Sequence, residues 1–328
     1  MSEFELINQY FKSTTVQRDD VLLGIGDDCA ILSPPPGKQL AVSTDTLISG
    51  VHFPINTSAE DIGYKSLAVN LSDLAAMGAE PAWVSLAISI PDVNEAWISG
   101  FMQGFNQLAI EHNVALIGGD TTRGPLSITV SVTGFVDTAK SLKRSNAKVG
   151  DVIFVTGNLG DARLGLEELL GNVSIPDEDS KSYFLNCLNR PEPKVSIGQL
   201  LTNYPVAAID LSDGLLADLK HICKASSTGA VVQLEKIPLS EYLINTLDNK
   251  PNWSIICNAG DDYELCFTCP PNCTDDLLST LIKNGINVFP IGVIDNTCEI
   301  TCFLNAEQYL NLGSGYNHFK NKNKADEE

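Results

Sequence analysis

Apolar positions in this chain gather into short runs rich in β-branched residues, separated by longer stretches with helical spacing. In the first half, strand-like runs fall at Val21–Gly24, Leu40–Ser43, Trp83–Ile90, Val114–Ile117 and Ser127–Val136, with helical patterns between several of them. The alternation over 127–136 sets an apolar face against a hydroxyl-rich one, and a long amphipathic strand often packs at an interface. A helix is expected to open at Ser58, with Asp61 three residues on, and to close near Gly78. The second half restarts with the run Asp151–Gly157 and a helical stretch at Ala162–Leu170. It continues through Val206–Asp210, a helix beginning near Gly214, and runs at Ala230–Leu234, Glu264–Thr268 and Val288–Ile294.

The pattern predicts an α/β protein of two domains, each mixing strands and helices. A polar, glycine-containing segment at 146–150 marks the junction, giving domains of residues 1–148 and 149–312. Residues 313–328 end Lys-Asn-Lys-Asn-Lys-Ala-Asp-Glu-Glu and lack the apolar area to order themselves, so a disordered tail is expected. The length of 328 residues and the apolar share of 44% suit two real cores.

Charge narrows the partners. Acidic residues outnumber basic ones 41 to 21, a formal net charge of −20, which argues against nucleic acid and anionic membranes. A small polyphosphate remains compatible if metal ions supply positive charge locally. The acidic start lacks a signal peptide's basic and apolar regions, and no apolar run approaches membrane-spanning length, so a cytoplasmic protein is expected. Among nine cysteines, Cys266-Phe-Thr-Cys269 and Cys298-Glu-Ile-Thr-Cys302 have spacings used by zinc and iron–sulfur sites. The surrounding runs read as strands, where free cysteine is commonly buried, and that reading is preferred.

The chemistry lies in motifs where aspartate follows glycine or a hydroxyl residue: Gly26-Asp27-Asp28, Ser43-Thr44-Asp45, Leu71-Ser72-Asp73, Gly118-Gly119-Asp120, Asp210-Leu211-Ser212-Asp213 and Gly260-Asp261-Asp262. Most are expected where a strand-like run ends, so that a fold could gather them. Carboxylates so gathered repel unless hard cations join them, and Mg²⁺ shares its shell with water and substrate phosphates. Each motif alone also reads as a turn or cap: Ser212 or Asp213 can cap the helix that follows. Asp73 sits late in its helix, where an anion opposes the dipole. Gly157-Asn-Leu-Gly160 can cradle phosphate or simply make a tight turn. There is no P-loop and no protein-kinase motif set. Four histidines leave few candidates for a His-rich phosphatase or a Ser-His-Asp hydrolase.

The motifs Gly24-Ile-Gly-Asp-Asp-Cys-Ala30, Ser43-Thr-Asp-Thr46, His52-Phe53, Asn70-Leu-Ser-Asp-Leu-Ala-Ala-Met-Gly78, Gly118-Gly-Asp-Thr-Thr-Arg-Gly124, Arg144-Ser145, Asp210–Gly214, Asp262–Leu265 and Gly315–Phe319 resemble, in order, those of bacterial thiamine-monophosphate kinases. That family belongs to the aminoimidazole ribonucleotide synthetase-like (PurM-like) superfamily, and the resemblance spans nearly the whole chain. It implies a two-domain PurM-like fold whose N-terminal sheet forms a homodimer interface. It also implies transfer of the ATP γ-phosphoryl group to thiamine monophosphate, assisted by several Mg²⁺ ions, with a requirement for a monovalent cation such as K⁺ left open. By the same resemblance Asp28, Ser43, Thr44, Asp45, Asp73, Asp120, Asp210 and Asp213 would bind metal. Gly119, Asp120, Arg144 and Ser212 would meet ATP, and His52, Asp261 and Tyr316 the acceptor. The family usually has Glu where this chain has Asp261, one methylene shorter, which bears on reach to the acceptor. The acceptor phosphate is largely deprotonated near neutral pH, so no general base is expected. Two alternatives stand beside this reading: a superfamily enzyme with a different acceptor, and a noncatalytic Mg²⁺- or nucleotide-binding regulator.

Overall fold

Each half of the chain builds one main sheet, and a two-stranded ribbon stands beside that of the first half. The computed structural model describes residues 3–13 and 15–310; Tyr316 and the expected tail of 313–328 lie outside the described residues. The first half runs α1 (Glu3–Leu6), a π-helical turn at Ile7–Lys12, β1 (Val21–Leu23), β2 (Ile31–Leu32), β3 (Lys38–Ile48), α2 (Ala59–Ala76), β4 (Glu80–Ile90), α3 (Glu95–Glu111), β5 (Ala115–Arg123) and β6 (Ser127–Asp137). Its four-stranded sheet has the order β3-β6-β4-β5, antiparallel except for β4 and β5, which α3 joins as a parallel crossover. Ile128, Val130 and Val132 of β6 are buried while Ser127, Thr129, Ser131 and Thr133 are half-buried, so the predicted alternation holds.

The second half runs β7 (Val152–Val155), α4 (Asp161–Leu169), α5 (Glu178–Asn189), α6 (Val195–Leu201), β8 (Ala207–Asp210), α7 (Leu215–Ser226), β9 (Gly229–Gln233), α8 (Glu241–Thr246), α9 (Trp253–Asn258), β10 (Leu265–Cys269), α10 (Pro271–Lys283), β11 (Phe289–Asp295), β12 (Ile300–Leu304) and β13 (Glu307–Gln308). These strands build a seven-stranded mixed sheet ordered β13-β12-β9-β11-β7-β10-β8.

Helix α2 joins the halves. Ser58 caps it, accepting from the Asp61 N–H at 3.1 Å, and Gly78 ends it with φ +68, a conformation favouring glycine. Burial extends around most of its circumference because the first sheet and α3 lie on one side and α6 and β8 on the other. Glycines make those approaches possible: a Cβ at Gly104 of α3 would overlap the Glu60 carbonyl oxygen, and one at Gly198 of α6 the Ala75 carbonyl oxygen. The core beneath α2 runs on into Phe154, Phe267 and Leu277 of the second half.

The cysteines are free. Cys266 and Cys269 are buried in β10, as their strand pattern predicted. Cys302 is buried in β12, whereas Cys298 is exposed at φ +62 just before it, outside any strand. The runs around Cys298, β11 and β12, are strands as expected, and the cysteine itself sits in the turn between them.

Candidate active site

The stripe of α2 carrying Asp61, Lys65 and Ser72 faces the second domain, because residues four and seven apart share one side of a helix. Asp61 accepts from Arg190 Nε at 2.6 Å, Lys65 Nζ pairs with Asp261 Oδ1 at 2.8 Å, and Ser72 Oγ donates to Asp210 Oδ2 at 2.9 Å. The neighbouring stripe faces β3. Ser43 Oγ donates to Asp73 Oδ2 at 2.5 Å, and Asn70 Oδ1 accepts from the Asp45 N–H at 3.2 Å. One helix therefore gathers Asp45 from the first sheet, Asp73 from itself and Asp210 from the end of β8.

These three carboxylates resist ionisation together. Burial, then the nearby Asp73 charge, pushes Asp45 up to about 6. The same two causes in the same order push Asp210 up to about 7. Burial raises Asp73 too, against the pull of the Ser43 hydroxyl and the Arg144 guanidinium. A cation placed among them relieves both penalties.

A second strand of chain runs beside Asp210. The loop 260–263 lies against 211–213: Asp261 N–H donates to Ser212 O at 3.0 Å and Tyr263 N–H to Leu211 O at 2.8 Å. Asp261 and Tyr263 hold φ values of +70 and +48, and the Tyr263 phenol rests against the Asp261 carboxylate, within electrostatic range of Asp210 and Asp45. The Ser212 and Asp213 N–H groups both donate to Asp218 Oδ2 at 3.0 Å. The capping reading of Ser212 and Asp213 is therefore overturned: Gly214 occupies the N-cap position of α7, and the capping carboxylate comes from inside the helix.

The other expected residues spread further. Asp45 and Asp120 lie inside β3 and β5 and not where the runs end, because polar residues on a site-facing or solvent-facing side do not interrupt a strand. Thr44 does not join Ser43 and Asp45. The period of two turns it to the opposite face of β3, where its hydroxyl bonds Ser131 Oγ at 2.8 Å. Asp28 and Asp120 are exposed. Gly119 is also exposed, and its missing Cβ lets β5 close on the Leu86 carbonyl of β4. Exposed Arg144 reaches Asp73 electrostatically. His52 accepts the Ile48 N–H on Nδ1 at 3.0 Å, in the turn after β3. Tyr316 lies outside the described residues.

The Gly157–Gly160 loop is no open phosphate cradle. Its Gly160 N–H already donates to Asp262 Oδ1 at 3.0 Å, and a Cβ at Gly157 would strike the Glu264 carboxylate. Sequence reasoning assigned no role to Lys65, Asn70, Ser72 or Asp218. A lysine two positions before the apolar run Leu67-Ala68-Val69, in a well-capped helix, was the available signal.

No three His, Cys, Asp or Glu side chains among the described residues stand close enough to enclose one ion. Mg²⁺ needs no such cage, since one or two carboxylates plus water and phosphate oxygens complete its shell. The donors gathered here are all hard oxygens, and they fit that ion.

Comparison with known proteins decides the family. Residues 26–136 match the family of AIR synthase related proteins, N-terminal domain, and residues 148–305 its C-terminal domain. The chain is 44% identical over 325 residues to the thiamine-monophosphate kinase of Haemophilus influenzae, covering 98% of each. The chain belongs to the thiamine-monophosphate kinase family. It is 34% identical to the Bacillus subtilis thiamine-monophosphate kinase, over 98% of this chain and 100% of that one. Among solved structures, the thiamine-monophosphate kinase of Stenotrophomonas maltophilia superposes with a TM-score of 0.84 at 44% identity, covering 94% of this chain and 98% of that one. AaThiL complexed with AMPPCP and TMP superposes with a TM-score of 0.77 at 27% identity, covering 97% of each. The PurM-like fold expected of a thiamine-monophosphate kinase is the fold observed.

Proposed function

We propose that the chain is a thiamine-monophosphate kinase, transferring the γ-phosphoryl group of ATP to thiamine monophosphate to give thiamine diphosphate and ADP. The observation that carries this is the convergence of Asp45, Asp73 and Asp210 on α2, in a chain 44% identical to a named kinase of this reaction. The AMPPCP and TMP bound to AaThiL supply the pair of ligands by analogy. Asp28, Ser43, Thr44, Asp45, Asp73, Asp120, Asp210 and Asp213 are the proposed Mg²⁺-binding set, with Thr44 the member the strand turns away. Bound Mg²⁺ neutralises the developing charge on the transferring phosphoryl oxygens.

The chain's own side chains do the positioning. Gly119, Asp120, Arg144 and Ser212 are proposed to meet ATP, Arg144 with a planar fork suited to phosphate. His52, Asp261 and Tyr316 are proposed to hold the acceptor. The Ile48 N–H on His52 Nδ1 leaves the ring proton of the neutral imidazole on Nε2. No side chain needs to take a proton from the acceptor, because its attacking oxygen is already an anion.

A homodimer is proposed through β3. Leu40, Val42 and Ile48 are exposed on the face that also carries Thr44 and Thr46, and β3 is an edge strand of its sheet. Light scattering of the purified protein checks the mass.

Assaying thiamine diphosphate formation from ATP and thiamine monophosphate, with and without Mg²⁺ and with free thiamine as control acceptor, tests the activity. Mg²⁺-dependent product from the monophosphate alone is expected. A folded, ATP-binding protein that makes no product would move the reading to another acceptor or to a regulator.

A further inference from the structure

Lys65 is buried, its side chain 3% exposed, while its ion-pair partner Asp261 is 29% exposed. An ammonium removed from water to this degree destabilises the fold unless a fixed anion faces it, and Asp261 is the one acid recorded in an ion pair with it among the described residues. The pair crosses the molecule's main junction: Lys65 belongs to α2, and Asp261 to the loop between α9 and β10. The Asp261 backbone is held in the left-handed region at φ +70, tied to Ser212 by its own N–H. Its short side chain thus leaves a prescribed point in a prescribed direction. Oδ1 is committed to Lys65, the Tyr263 phenol rests against the same carboxylate, and the side chain stays partly exposed.

We propose that Lys65 is a positioning residue for the acceptor: by binding Oδ1 it fixes the Asp261 carboxylate, beside the Tyr263 phenol, so that its exposed edge is offered to a hydrogen-bond donor of the acceptor. The inference rests on the proposed role of Asp261 in holding thiamine monophosphate. It adds that acceptor recognition is set from the opposite domain, so the subsite forms only when α2 and the 260–263 loop are correctly placed. Lys65 contacts neither the carboxylates proposed for metal nor the residues proposed for ATP in any recorded hydrogen bond or ion pair. Its loss is therefore expected to weaken acceptor binding selectively.

The test is steady-state kinetics on Lys65→Met, Lys65→Arg, Asp261→Asn and the double variant Lys65→Met/Asp261→Asn, varying ATP and thiamine monophosphate separately, with thermal melts of each protein. Lys65→Met should raise KM for thiamine monophosphate roughly tenfold or more, the cost of losing one charge-assisted hydrogen bond, with KM for ATP within about twofold. Lys65→Arg should recover part of the loss. The double variant should be no worse than Asp261→Asn, because both changes remove one arrangement. A folded Lys65→Met protein with unchanged KM for thiamine monophosphate, or with both KM values raised in parallel, would overturn the proposal. Should Lys65→Met fail to fold, Asp261→Glu decides: it keeps both charges but lengthens the arm, and an unchanged KM for the acceptor would show that placement is not what matters. A wild-type protein inactive on thiamine monophosphate would instead overturn the kinase reading, which separates the two failures.

Discussion

Ser72 and Asp210 meet across the junction of the two domains, the serine hydroxyl donating to Asp210 Oδ2 at 2.9 Å with both side chains buried. The bond lowers the cost of holding Asp210 as an anion, against burial and the Asp73 charge that raise it. It also ties β8 to α2. Ser72→Ala leaves the carboxylate short of a donor in a site that water barely reaches. The expected loss is about 1–3 kcal/mol of unfolding free energy in urea titrations, with an unchanged denaturant slope. A loss within error would mean that the hydroxyl carries no weight at the junction.

Asp45 illustrates a stability–function conflict. Without a cation its charge is opposed by burial and by Asp73. Asp45→Asn keeps the shape and removes that opposition, so in Mg²⁺-free buffer its melting temperature should equal or exceed that of the wild type. Turnover should nevertheless fall by about a hundredfold or more, the scale of losing one preorganised electrostatic contact. Asp120→Asn, on an exposed strand position, should lose turnover comparably without moving the melt. Near-normal activity in both variants would remove these residues from the proposed metal set.

The helix at 58–78 was legible because its ends carry unambiguous chemistry: a serine cap with Asp61, and a glycine forced to φ +68. Strand β5 was read short, since Gly118-Gly119-Asp120 looks like a loop until Gly119 is seen closing on Leu86. Thr44 shows a different limit. The alternation that separates it from Ser43 and Asp45 was available in the sequence, but the motif resemblance grouped all three. Lys65 lay beyond reach, because its partner Asp261 stands almost two hundred positions away and only the packing of α2 against the second domain brings them together. Residues within one element followed from local pattern, and the acidic motifs that meet across the junction from their chemistry, but the Lys65–Asp261 pair followed from neither.

A pH dependence is expected from a site far from the chemistry. Asp20 receives Arg18 Nε at 2.9 Å and Nη2 at 2.6 Å, and Trp83 Nε1 at 2.9 Å. The Arg18 hydrogen bonds lead in holding its carboxyl below the ordinary 3.8. A carboxylate depressed in the folded state stabilises fully above its unfolded value and loses that contribution as pH falls through the folded value. Asp20→Asn should therefore be less stable than wild type by roughly 1 kcal/mol near neutrality, after allowance for solvent screening. The gap should close below about pH 4. A gap that persists unchanged at lower pH would show it to be packing and not charge.

The α2–α3 crossing sets how closely the first domain can brace the site, and Gly104 is its tightest point. A Cβ there would overlap the Glu60 carbonyl oxygen and press on the Tyr64 backbone N–H, and neither backbone atom can rotate away as a side chain can. Gly104→Ala normally gains helix propensity, roughly 1 kcal/mol at an exposed position. Here the clash must outweigh it, because separating the helices also unseats Phe101 and Phe105, which are fully buried along the same face. A net loss of about 1–3 kcal/mol is expected by chemical denaturation, on the scale of overpacked cores. Because Glu60 and Asp61 also receive Arg190 from the second domain, at 2.6 Å each, a shift of α2 should propagate to the junction. The variant's KM values for both ATP and acceptor should then rise together, unlike the selective change expected at Lys65. A stabilised Gly104→Ala protein with wild-type kinetics would show that α3 has room to move and that α2 is not held by this contact.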